Sequence, residues 1–121
     1  MQVVDIQGYS YEPSEGLLRN LNRILVTAGS WILDRRPISS TNYEFTLEIE
    51  LRFVLDLYAG IIASGVELTR VNHLALTDLC TCRLHSSGSR EQRQIVGLRL
   101  EVCFLTQPGS NPLLHPGWSL A

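Results

Sequence analysis

The sequence predicts an α+β domain in which two helices cover one face of an antiparallel sheet. Three observations carry this expectation. Residues 43–51 alternate, with Tyr43, Phe45, Leu47, Ile49 and Leu51 on one face and Glu44, Thr46, Glu48 and Glu50 on the other, as a half-buried strand requires. Residues 95–105 alternate in the same way, with Val96, Leu98, Leu100, Val102 and Phe104 on one face. Residues 21–29 and 57–65 repeat one pattern, a helix end closed by a glycine and followed two residues later by a strand (residues 31–33 and 67–69).

The elements follow in order. Residues 2–9 read as a first strand. A helix starts at residues 13–16, where Ser14 is placed to cap a free backbone N–H and Glu15 complements the helix dipole. Leu17, Leu18, Leu21, Ile24, Leu25 and Ala28 form its apolar stripe, Arg19, Asn22 and Arg23 lie off it, and Gly29 ends it as a left-handed cap. Trp31 opens the second strand, Arg35, Arg36 and Pro37 end it, and residues 39–42 turn into the alternating third strand. The second helix runs over residues 52–64. Its inner stripe is Val54, Leu57, Ile61 and Ser64, while Leu55, Tyr58 and Ile62 make it apolar on more than one side, so a partner chain or the chain's own tail is expected to cover it. Gly60 inside it points to close packing. Residues 66–71 read as a strand, residues 74–84 as its continuation past a bend, and residues 86–90 as a flexible turn before the last strand.

The simplest closure of this order is a ferredoxin-like β-α-β-β-α-β sandwich with one extra C-terminal strand. Residues 1–105 make a single domain. Residues 106–121 hold Pro108, Pro112 and Pro116 and form an irregular tail, with Leu113, Leu114, Trp118 and Leu120 available to dock on an apolar groove.

Composition narrows the function. All ten basic residues are Arg, which excludes mechanisms that need a lysine, such as Schiff-base chemistry and P-loop phosphate binding. Ten Arg against twelve Asp and Glu give a net charge of −2, and the arginines form no basic stripe, so nucleic acid is not an expected partner. No apolar run is long enough to span a membrane, and no signal peptide precedes the fold. Three cysteines without disulfide spacing point to the cytoplasm.

Residues 16–32 begin with Gly16, follow with Leu17 and Leu18, and close with Ala28 and Gly29 before a strand. This segment resembles the first helix of ACT domains in pattern and glycine spacing. The resemblance implies a small regulatory module that binds an amino acid or similar ligand between paired domains, using the loop before the first helix and the start of the second strand. On this chain those positions are Glu12, Ser14, Glu15, Gly16 and Leu17, with Ser30 and Trp31. The chain departs from the family where its usual loop Asp is replaced by Pro13 and the polar second-strand residue by Trp31.

Arg35 and Arg36 follow the strand that would line this cleft, and arginine forks suit carboxylates. They could also pair with the acidic stripe of Glu44, Glu48 and Glu50. Cys80, Cys82 and His85 are the only metal-like cluster, but a strand would turn His85 away from the cysteines, so no metal or other cofactor is expected. The expected function is therefore a non-enzymatic, ACT-like module, acting as a homo-oligomer through residues 52–64 and the sheet edges, with an amino acid or small carboxylate as ligand. The alternatives are an interaction subunit without a ligand, and a small enzyme using Glu44 and Glu48 or Cys80 and Cys82.

Overall fold

The computed structural model describes residues 2–85 and 88–105. The tail at residues 106–121 and Ser86 and Ser87 of the expected turn lie outside the described residues.

The first strand, β1 (Val3–Ser10), leads into helix α1 (Ser14–Thr27). Leu17, Leu21 and Leu25 of α1 are buried, as their spacing requires. Pro13 precedes the helix, and Ser14 is its first residue and makes no capping bond, so the expected serine cap is corrected. The far end closes as the sequence suggests. Gly29 takes φ +100°, and the Phe53 ring lies 3.1 Å from where a β-carbon would stand. Gly29→Ala is expected to cost about 1–2 kcal/mol from the left-handed backbone alone, which urea unfolding would measure.

Strands β2 (Trp31–Pro37) and β3 (Asn42–Glu50) form a hairpin, and a 3-10 turn (Leu51–Phe53) leads into α2 (Val54–Ala63). Val54, Leu57, Ile61 and Ser64 point inward. A β-carbon at Gly60 would stand 2.6 Å from Ile24 of α1, so the glycine lets the two helices approach. Beyond α2 the chain corrects two expectations. The next strand, β4 (Glu67–Leu68), has two residues only, and residues 70–85 form a helix, α3 (Arg70–His85), rather than a strand. Here Leu76, Leu79 and Cys80 recur at helical spacing and face the core, which the reading of residues 74–84 as a continued strand overlooked. A short helix, α4 (Ser89–Gln92), begins in the expected turn and runs two residues past it.

The last strand, β5 (Ile95–Phe104), corrects the topology. The sheet order is β2-β3-β5-β1-β4, with β5 parallel to β1 and antiparallel to β3. The sheet is thus mixed, not antiparallel, and β5 separates β1 from β3, which are neighbours in a ferredoxin-like sheet. The physical reason is composition. β5 buries Val96, Gly97, Leu98, Leu100, Val102 and Phe104, more than any other strand, and such a strand belongs at the centre. All three longer helices contribute to one core against Ile6, Phe45, Leu47, Ile49 and the β5 stripe. Among the described residues no helix packs on the other sheet face, called the open face below. No helix among the described residues is long and apolar enough to cross a membrane.

Candidate functional site

A β-bulge builds the most distinctive cleft. β2 pairs with β3 so that Trp31 faces Glu48 and Ile32 faces Leu47, but after a register shift Asp34 faces Thr46 and Arg35 faces Phe45. Leu33 is the extra residue. Without it, strand alternation would put Arg35 on the open sheet face with Trp31. With it, Arg35 turns to the helix side, as bulges re-aim side chains.

There the Arg35 Nη1 donates to Asn22 Oδ1 at 2.6 Å. Asn22 stands on the flank of α1 nearest β2, outside the buried stripe. Leu18, Arg19, Asn22, Arg35, Tyr43 and Phe45 line a cleft of about 230 Å³. Its aromatic wall is the Tyr43–Phe45 pair, with ring centroids 5.4 Å apart. Leu18 and Tyr43 also line a separate hollow of about 150 Å³, bordered by Ser14, Pro37, Phe104 and the hairpin turn at residues 39–42. That turn is held by its own polar groups: Ser39 Oγ accepts from the Asn42 N–H at 3.1 Å, and Asn42 Nδ2 donates to Glu101 Oε2 at 2.6 Å.

The cleft's charge is uncompensated at Arg35. Arg36 lies 3.5 Å from Glu44, Arg52 lies 2.7 Å from Glu50, Arg99 lies 2.7 Å from Asp5, and Arg19 lies 3.9 Å from Glu15. The Arg35 guanidinium meets an amide and, among the described residues, forms no ion pair, while the Arg35 backbone N–H donates to Asp34 Oδ1 at 2.9 Å. At Arg99, the hydrogen bond and charge of Asp5, with Glu44 adding, raise the guanidinium above its ordinary basicity.

The expected site residues do not form one site within the chain. Arg35 borders the cleft and Ser14 the neighbouring hollow. Glu12, Glu15 and Gly16 are exposed near the start of α1, and Leu17 belongs to the core. Ser30 and Trp31 lie at the opposite end of that 14-residue helix, about 20 Å away at 1.5 Å per residue. The Ser30 hydroxyl is buried and donates to the Leu25 carbonyl at 2.7 Å, which closes the helix. Trp31 is half exposed on the open sheet face, and Arg36 shares that face with Glu44. Sequence reasoning passed over Leu18, Asn22, Tyr43 and Phe45 as cleft residues, and only Asn22, a polar residue beside the α1 stripe, carried a signal.

The enzyme alternatives fare differently. Glu44, Glu48 and Glu50 do share the open face, and Glu44 stands opposite Glu101. Cys80 and Cys82 lie on a helix, where residues two apart point to different sides. Burial pushes the Cys80 thiol above its ordinary pKa, against a smaller pull from Arg83, which disfavours the thiolate a nucleophile needs. His73 Nδ1 is 2.7 Å from the Tyr58 hydroxyl, between α3 and α2. Among the described residues no group of three or more His, Cys, Asp or Glu is arranged to hold a metal ion. Set against protein-family models, curated proteins and solved structures, the chain matched none of them.

Proposed function

We propose that this chain is a non-enzymatic ligand-binding module of a regulatory kind, and that the cleft between α1 and the β2–β3 hairpin takes a small carboxylate. The observation that carries the reading is Arg35. A bulge aims it into a cleft with an aromatic wall, and among the described residues its guanidinium bonds there to the neutral Asn22. A carboxylate would receive the guanidinium fork, while the apolar part of the ligand lies on Tyr43, Phe45 and Leu18. The cleft volume suits a molecule of amino-acid size. In support of the ACT-like reading, setting β5 aside leaves the order β2-β3-β1-β4, that of a ferredoxin-like unit. The ligand site proposed here lies at Arg35 and Ser14 rather than at Ser30 and Trp31.

A thermal-shift panel of amino acids and small aromatic or aliphatic carboxylates tests the proposal. At least one member is expected to raise the melting temperature. Arg35→Ala is expected to weaken that ligand by about tenfold or more, the usual scale for losing a hydrogen-bonded charge pair. Equal affinity of wild type and variant by calorimetry would remove Arg35 from the site.

A further inference from the structure

The outer surface of α2 is as unusual as the cleft. Leu55 and Ile62 are 46% and 41% exposed, and Ala59 between them and Ala63 beyond are exposed as well. A helix surface of this kind normally carries charge. Beside it lies a groove of about 340 Å³ between α1 and α2, lined by Arg23, Ile24, Thr27, Ala28, Asp56 and Gly60. At its floor Ile24 packs directly against Gly60, filling the space a side chain there would take.

Two opposite charges border this groove. Arg23 stands on α1 and Asp56 on α2. Arg23 is hydrogen-bonded to the Asn20 amide, and Asp56 meets no cation among the described residues. A two-fold axis running along the groove would lay the α1 position of one copy over the α2 position of the other. Such an axis sets the Arg23 of each copy against the Asp56 of the other, and lays α1 and α2 of one copy over α2 and α1 of its mate. An isologous interface demands this self-complementarity.

We propose that this face is a homodimer interface, in which the α1–α2 groove at Gly60 packs on the same groove of a second copy and Arg23 pairs with the second copy's Asp56. The sheet edges contribute less to association than the helices do. Two helices about 10 Å apart and about 15–21 Å long present a flat face of only a few hundred Å², against about 800 Å² per partner in a standard interface. Association is therefore weak, with a dissociation constant on the order of 10–100 µM.

Sedimentation velocity of the full chain from about 1 to 300 µM, a range that brackets this constant, tests the proposal. The expected result is a concentration-dependent shift from the 13.6 kDa monomer towards the dimer. Ala59→Arg, at an exposed position where the variant keeps its far-ultraviolet circular dichroism, is expected to weaken association at least about tenfold by stranding a charge in the interface. Arg23→Asp and Asp56→Arg are each expected to weaken it, and the double reversal to restore it. A monomer across the whole range overturns the proposal, as when the tail covers the face instead. A dimer that ignores both Ala59→Arg and the charge reversals also overturns it, by placing the contact elsewhere.

Discussion

A chain ending at Gln94 is expected to remain unfolded in water. Removing β5 takes Val96, Leu98, Leu100, Val102 and Phe104 out of the core, and all five are buried. At about 1.5–3 kcal/mol for each buried apolar side chain, the loss is on the order of 8–15 kcal/mol, as large as the whole stability of a typical domain. It also strips the hydrogen-bond partners from the full length of β1 and from one side of β3, because β5 lies between them. Unpaired backbone groups facing a former core add to the cost. Circular dichroism and urea titration of residues 1–94 read the outcome directly. A cooperative unfolding transition in that fragment would contradict the central placement of β5, and would instead suit a strand added at a sheet edge.

Phe45→Ala is expected to cost about 3–5 kcal/mol and to lower the melting temperature by about 10–30 °C. Phe45 is 1% exposed and lies in β3 between Arg35 on β2 and Leu100 on β5. A strand pinned on both sides by its ladder cannot collapse into the vacated space, so the cavity remains. The ring also closes the end of the cleft beside Arg35. Phe45→Leu should therefore keep most of the stability while loosening ligand contact, which separates the two roles. A denaturant midpoint for Phe45→Ala close to that of the wild type would show that the core tolerates the hole.

Local structure was legible wherever one periodicity ruled a segment. The stripe of Leu17, Leu21 and Leu25, the alternation from Tyr43 to Ile49, and the closing Gly29 all appear where the pattern set them. Residues 70–85 were misread because their buried set is small. Leu76 and Leu79 alone are fully buried, and with Val71, Leu74 and Leu84 exposed the helical stripe is faint. The place of the last strand in the sheet was not legible. Nothing local tells Val96 to Phe104 to insert between strands that are distant in sequence, and only the competition for the most buried position decides it. The cleft was half legible. Arg35 was singled out for its chemistry, but its direction depends on one extra residue at Leu33, and a period-2 reading assigns it to the wrong face.

That extra residue also governs how the sheet ends. β2 is a border strand, and a long, regular border would present a free row of N–H and C=O groups to any unfolded or neighbouring chain. The bulge breaks the row near its middle, Asp34, Arg35 and Arg36 crowd it with charge, and Pro37 removes a donor at its end. The opposite border is only two residues long, and beyond it Asn72 of α3 occupies the backbone N–H of Gln7 at 2.9 Å. Both margins are thus poor templates for strand addition, and the same irregularity that aims an arginine inward protects the molecule against polymerising through its sheet.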